Sequence, residues 1–444
     1  MAFFRARTAL NTLKHSRPVW ESVREIHILR TITEVRQWRQ ERFRNKEKVG
    51  FVPTMGALHQ GHIALAKRAQ EECDVSIVSI FVNPTQFRAG EDYETYPRTL
   101  DKDIALLDAA QITAVFAPTA HEMYPNYPAP FGTYVDPVDG DKVAEGEIRP
   151  GHFRGVATVC TKLFNIIQPC RSYFGQKDGL QCIVLKRMVN DLNMNTKVVI
   201  CPTIREPDGL AMSSRNVRLT PESRALAPTI FEALTVGEKL WNSGVHDVEE
   251  IRKAVQAHLT SSERVKDANP EVWRPEYVSI ADGRTGLNLA PGSKITPFEV
   301  IKRVRDAAIA KQKAEEDEEL AAKAAAEEAE QTARRLKKRE EEEAIRQRKE
   351  AASKSNGSSN GSSTHERKLP CFTADAAANQ AATSTSGQPQ RPASQSAEEE
   401  AVDDDTDVAA MLAVAVRAGS VRLIDNVLLK YSKQQLQTEE AEKD

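Results

Sequence analysis

The stretch VPTMGALHQGHIALAKRA, Val52–Ala69, carries two histidines three positions apart, His59 and His62, with Gly61 between them. An apolar run, Gly50–Pro53, precedes them, and an amphipathic run, Ile63–Glu72, follows. A short, nearly continuous apolar run reads as a strand buried on both faces, and apolar residues at helical spacing read as the helix after it. The histidines therefore fall where a strand ends and a helix begins. In an open α/β sheet, ligands bind there, outside the carboxyl ends of the strands.

The alternation repeats. Val75–Val82, Thr113–Ala117, Ser172–Gly175 and Lys197–Cys201 read as further strands, with helical patterns over Thr99–Ala110 and Val156–Ile167. This predicts an α/β fold, with a Rossmann-like, doubly wound parallel sheet over residues 26–204. After Cys201 the pattern changes. Thr220–Leu234 reads as a helix with Thr220 as N-cap and Pro221 at its first position. More helix follows over Ile251–Leu259, then a strand at Pro275–Asp282. Residues 205–288 read as the first part of a smaller α+β C-terminal domain.

From about Ala307 the chain is rich in Glu, Lys, Arg and Ala, with pairs such as Glu319–Lys323 and Glu330–Arg334 spaced i,i+4. That reads as a solvated charged helix. Ser353–Glu400 has almost no large apolar residue and reads as disordered. Val408–Leu429 is apolar again, and an ordered tail needs a surface to pack on. Residues 289–406 are therefore read as a charged helical and disordered insertion. Residues 407–433 would be the last part of the C-terminal domain and 434–444 a tail.

Composition narrows the class. Hydrophobic residues make up 40% of the 444, low for a wholly globular chain, so part of it is expected to be unfolded. The net charge is −3 and no basic stripe lies near the motifs, so no nucleic-acid partner is expected. No apolar run approaches the roughly 18 residues of a membrane span, so no membrane partner is expected. Cys73, Cys160, Cys170, Cys182, Cys201 and Cys371 show no CxxC spacing and read as reduced, buried thiols of an intracellular protein. Residues 1–25 contain Arg5, Arg7, Lys14 and Arg17 and no acid before Glu21. They suit either a mitochondrial transit peptide or an untargeted extension of a cytoplasmic protein.

Polar groups gather after four strands. His59 and His62 share a helix face, and at a helix N-terminus they add donors to free backbone N–H groups, which makes an anion site. A metal pair and two surface histidines remain open readings, although zinc would want a third ligand. Asn83 and Gln86 follow the second strand. Gly175, Gln176, Lys177 and Asp178 follow the fourth, with Gln181 one turn on. Lys177 and Asp178 suit a phosphate and a ribose or metal, or else a surface ion pair. Ile204, Arg205 and then Met212-Ser213-Ser214-Arg215 follow the fifth. Such a loop can close over phosphates, or be an ordinary polar turn. Gln86 and Gln181 suit a hydroxy acid, whose hydroxyl and carboxylate both need a partner.

With PTMGALHQGH, FVNPTQF, YPRTLDKD, RPGHFRGVATVCTKLFNI, FGQKD, REPDGLAMSSRN and RLIDN in this order, the chain resembles the pantoate–β-alanine ligase family of HIGH/KMSKS nucleotidyltransferases. The resemblance covers about Ile26–Asp282 and Val408–Leu429. It implies two half-reactions. The pantoate carboxylate attacks the α-phosphorus of ATP, giving pantoyl adenylate and pyrophosphate; β-alanine then attacks the activated carbonyl, giving pantothenate and AMP.

By that resemblance His59, His62, Lys177 and Arg215 are the catalytic residues. Met55, Gly175, Asp178, Ile204, Met212, Ser213 and Ser214 join them in binding ATP. Met55, Asn83, Gln86, Arg149 and Gln181 bind pantoate, and Tyr96 and His152 line the site. Asp103 falls where the family places acids near Mg²⁺, with Lys102 before it where a second acid would stand. A homodimer is also implied. Two rival readings are another HIGH-type adenylyltransferase, including a tRNA-synthetase relative with a basic tRNA-binding domain, and a scaffold working through the charged helix.

Overall fold

The computed structural model describes residues 26–129, 131–293 and 408–431, with helical residues also at 323–324, 331–332 and 334–335. The N-terminal extension, most of the charged helix, the stretch read as disordered, and the tail lie outside the described residues. The chain divides into two compact units, residues 1–303 with 405–444, and residues 304–404. The first carries both sheets.

That unit opens with β1 (His27–Leu29), α1 (Ile32–Arg44), β2 (Val49–Thr54), α2 (Gln60–Glu72), β3 (Val75–Ile80) and α3 (Leu100–Ala109). Then come β4 (Ala114–Phe116), the short α4 (Ala120–Met123) and α5 (Ala144–Ile148), α6 (His152–Ile167), β5 (Arg171–Gly175), α7 (Gly179–Asp191) and β6 (Lys197–Cys201). The six strands form one sheet in the order β1-β4-β3-β2-β5-β6, and every pairing is parallel. Side chains alternate between its faces, as the two-residue period of a strand requires. Phe51, Ile77 and Phe116 join α1, α6 and α7 in one core; Val52, Val78 and Val115 join α2 and α3 in the other.

From β2 the chain builds outward through β3 and β4, and β5 and β6 lie on β2's opposite side. The β2–β5 junction is thus the switch point of the sheet, where ligands of this architecture bind. Strand β1 went unread in the sequence. It is a three-residue edge strand pairing only with β4, two of its residues are exposed, and it leaves no apolar run to detect.

The second layer begins with α8 (Pro221–Leu226), α9 (Thr229–Asn242) and α10 (Val248–Ser261). Thr220–Leu234, read as one helix, is thus divided before Pro228. Proline has no N–H for the helical ladder and clashes with the preceding turn. The strands β7 (Trp273–Asp282), β8 (Val408–Ala418) and β9 (Val421–Lys430) form an antiparallel sheet in that order. Asp282 pairs with Ala410, and a Cβ on Gly283 would lie 2.8 Å from Val408. The chain therefore leaves this sheet and returns to it at one corner.

Packing continues past the expected boundary at 288. The Leu289 N–H donates to Ile280 O (2.9 Å) and the Val248 N–H to Ser293 O (3.3 Å). One cysteine expectation is corrected: Cys170 is exposed and Cys201 half-buried, whereas Cys73, Cys160 and Cys182 are buried. Cys371 lies outside the described residues.

Candidate active site

The loop from β2 to α2 runs through two left-handed residues, Gly56 (φ 84°) and Ala57 (φ 50°). Gly56 tolerates this because it has no Cβ. Asp103, on the first turn of α3, holds the strained loop: its carboxylate accepts from the N–H groups of Ala57 and Leu58, both at 2.9 Å, and from the Thr99 hydroxyl at 3.2 Å. Asp103 is 2% exposed. Both of its oxygens accept from the loop, and it stands outside the lining of the cavity. Among the described residues no three His, Cys, Asp or Glu side chains come together as metal ligands do.

His59 is the N-cap of α2, just outside the first turn. Its Nδ1 accepts from the Gly61 N–H at 3.2 Å, and Nδ1 of His62 accepts from the His59 N–H at 3.2 Å. These backbone donors are therefore satisfied by imidazoles and are not waiting for an anion. An Nδ1 that accepts carries no proton, which places the proton on Nε2. Burial, then the nearby Lys177 charge, lowers His59 to about 4. Burial, then His59, lowers His62 to about 3. At neutral pH the pair offers two uncharged N–H donors, with ring centroids 4.1 Å apart.

Across the switch point, β5 ends in a tight turn, Gln176–Asp178, that leads into α7. Lys177 Nζ lies 3.4 Å from Asp178 Oδ1. Burial would raise the Asp178 carboxyl, but Lys177 and Arg215 keep it below the ordinary range. Gly175 and Gln181 line the same wall.

The opposite wall is a hairpin after β6. Arg205 and Ala211 bridge its base, and Gly209 takes the left-handed conformation at its tip (φ 90°). Met212 N–H donates to Ile204 O (2.9 Å). The Asn216 amide donates to Glu206 Oε1 (2.9 Å) and Ala211 O (3.0 Å). Arg215 donates edge-on to Asp92, from Nε (3.0 Å) and Nη2 (3.1 Å), and Arg218 donates to the same carboxylate (2.9 Å). Arg215 also lies over the Tyr96 ring, whose hydroxyl is 3.3 Å from Ser214 Oγ.

The third wall centres on Gln86. Its amide donates to Met55 Sδ (3.4 Å) and its Oε1 accepts from Asn83 (3.0 Å). Asn83, 1% exposed, also donates to Gly155 O and accepts from the Tyr124 hydroxyl. The Gln86 carbonyl accepts from His152 Nδ1 (3.0 Å) and Arg149 Nη2 (3.3 Å). Burial and then Arg149 push His152 down to about 4. The Arg149 fork is held by Glu91, and Glu145 behind it pairs with Arg422 of β9 at 2.7 and 2.9 Å.

The three walls enclose one cavity of about 810 Å³. It is lined by Met55, His59, His62, Asn83, Gln86, Arg149, Gly175, Lys177, Asp178, Gln181, Ile204, Met212, Ser213, Ser214 and Arg215. Of the expected site residues only Asp103 stands apart. Sequence reasoning missed Asp92, Glu145, Arg422, Asp425 and Asn426, which also line it. The last two left a signal: adjacent polar residues within an apolar run, LIDNVLL.

Residues 27–313 match the Pantoate-beta-alanine ligase family. The chain is 52% identical over 260 residues to the pantothenate synthetase of Chloroflexus aggregans, covering 59% of this chain and 88% of that one. It is 48% identical over 268 residues to that of Thermotoga petrophila, covering 60% and 91%. A crystal structure of pantothenate synthetase from Thermus thermophilus superposes with a TM-score of 0.58 at 31% identity, covering 91% of this chain and all of that one. Half the chain and more matches one family along its characteristic motifs, with the matching residues gathered around one cavity: the protein belongs to the pantoate-beta-alanine ligase family.

Proposed function

We propose that the cavity carries out the ATP-dependent condensation of pantoate with β-alanine through a pantoyl adenylate. The observation that carries this reading is the meeting of neutral donors, cations and amides in one cleft. Neutral histidine donors and a lysine lie at the β2–β5 switch, an arginine hairpin faces them, and an amide wall lies beside both. In the first step a pantoate carboxylate oxygen bonds to the α-phosphorus and the bond to the pyrophosphate oxygen breaks. In the second the β-alanine amine bonds to the acyl carbon and AMP leaves with the acyl C–O electron pair; the amine loses its proton.

Both steps ask mainly for positioning and charge stabilisation. His59 and His62 donate from Nε2 to the α-phosphoryl oxygens, where charge builds. Lys177 neutralises the phosphates from the facing turn. Ser213, Ser214 and Arg215 hold the β and γ phosphates. Gly175 and Asp178 hold the ribose, with Ile204 and Met212 on the nucleoside side. Gln86 and Gln181 bind pantoate and Met55 packs over it, while Asn83 and Arg149 keep Gln86 in place. Mg²⁺ in this reading arrives with ATP as part of the substrate, and no protein ligand is assigned to it.

The decisive experiment is ATP–pyrophosphate exchange. It should depend on pantoate and need neither β-alanine nor tRNA. A folded sample without exchange overturns the reading. A cytoplasmic homodimer belongs to the same proposal, tested by sedimentation and by imaging the chain with and without residues 1–25. Among the described residues no helix is long and apolar enough to cross a membrane.

A further inference from the structure

Two adjacent residues of β9, Asp425 and Asn426, reach out of the small sheet into the nucleotide side of the cavity. Both are almost fully buried, at 3% and 2% exposure. The Asn426 amide nitrogen donates to two consecutive backbone carbonyls, Gln176 O at 2.7 Å and Lys177 O at 2.9 Å. These belong to the turn that presents Lys177. Packing there is tight: a Cβ on Gly179 would lie 2.4 Å from Met411 Sδ and 2.9 Å from Asn426 Nδ2.

Asp425 faces the other lip. It accepts from both terminal nitrogens of Arg205, Nη1 at 2.5 Å and Nη2 at 3.2 Å. Arg205 stands at the base of the hairpin carrying Ser213–Arg215; it also donates to Gly209 O at 3.1 Å and stacks on the Phe231 ring, 3.8 Å from its centroid. The Asn426 N–H donates to Asp425 Oδ1 at 2.8 Å and ties the two residues together.

We infer that Asp425 and Asn426 form a brace that sets the spacing between the two lips of the phosphate site, with Asn426 a positioning residue acting through Lys177. A rotatable amide that satisfies two neighbouring carbonyls fixes the path of the turn, not merely its presence. A lysine on a flexible stem needs a fixed root to deliver charge to a developing oxyanion. The brace comes from β9, the last strand among the described residues, beyond residues 283–407. The nucleotide site of the large sheet is therefore completed only when β9 has docked.

This inference rests on the proposed phosphate role of Lys177, and a double-mutant cycle separates the two. Pantoate-dependent ATP–pyrophosphate exchange is measured for the wild type, Asn426→Ala, Lys177→Ala and the double variant, each confirmed folded by circular dichroism. Asn426→Ala is expected to lower the exchange kcat about 10- to 100-fold, as loss of oriented charge stabilisation does. In the Lys177→Ala background the same change is expected to cost less than about 3-fold, since groups acting as a unit are non-additive.

Equal losses in both backgrounds would mean a general structural role and overturn the brace. So would a wild-type rate in Asn426→Ala. A wild-type rate in Lys177→Ala would instead overturn the functional reading. Should Asn426→Ala fail to fold, Asn426→Ser retains one donor and is read in the same cycle.

Discussion

The two walls of the cleft proposed to face the phosphates are built by different means. The wall at the β2–β5 switch is held by the backbone: His59 and His62 are locked by N–H groups of their own helix start, and Lys177 by a turn bound to Asn426. The hairpin wall is held by side-chain ion pairs, Arg215 and Arg218 on Asp92, Arg224 on Glu206 and Asp208, and Arg205 on Asp425. Backbone hydrogen bonds in a buried setting are insensitive to salt and hard to rearrange. Apart from the buried Arg205–Asp425 pair, those of the hairpin wall are partly exposed ion pairs, which are screened and can be exchanged for a ligand's charge. Under the proposed function, the first wall would suit the reacting phosphorus and the second a triphosphate that must be captured and let go.

The comparison can be broken most sharply at the first wall. Lys177→Ala, and His59→Asn, which keeps a capping side chain but removes the Nε2 donor, should each lower pantoate-dependent exchange by at least ~10²-fold. Wild-type turnover in either removes that group from the chemistry. At the second wall, Asp92→Asn should raise the KM for ATP about 10-fold while kcat changes little, as loss of uniform binding does. If kcat falls instead and KM holds, the hairpin belongs to the chemistry and the contrast fails.

A smaller effect sharpens the point about charge. His59 and His62 stay neutral in the fold down to about 4 and 3, below the ordinary value of 6.5. Exchange activity should therefore show no inflection near pH 6.5 from this pair and should fall only as pH approaches about 4. Stability responds over a higher pH range. Between those values the unfolded chain takes up protons that the fold refuses, so the thermal midpoint should drop as pH falls from 7 to 5. A profile with a clear step at 6.5 that vanishes in His59→Asn would show that the wall works as a cation. Least affected should be a chain in which residues 294–407 are replaced by a flexible Gly/Ser linker, since closure cost grows slowly with loop length. Exchange within about 2-fold of the wild type is expected; an inactive but folded product would give that segment a part in the site.

Legibility followed the range of the interaction. His59-x-Gly61-His62, the Gly175–Asp178 turn and the Ser213–Arg215 loop were readable because each is a local motif at a strand end. The part Asp103 plays in holding the loop was not legible, because its backbone partners lie 45 and 46 residues away. Glu145 and Arg422 could not be paired by eye across 277 positions. Gly155 looked ordinary, yet a Cβ there would lie 2.4 Å from Thr85 O, because α6 presses against the Asn83–Gln86 turn.

By itself the sequence determined the alternating strands and helices, the order of the motifs and the residue types at four strand ends, because periodicity and short-range chemistry are written in consecutive positions. The tertiary structure decided that His59 and His62 are neutral donors and that Asp103 serves the loop. It also decided that Asp92 holds Arg215 and that Asn426 of β9 binds the turn carrying Lys177. Those outcomes depend on burial and on partners far away in the chain, and only the packed fold supplies either.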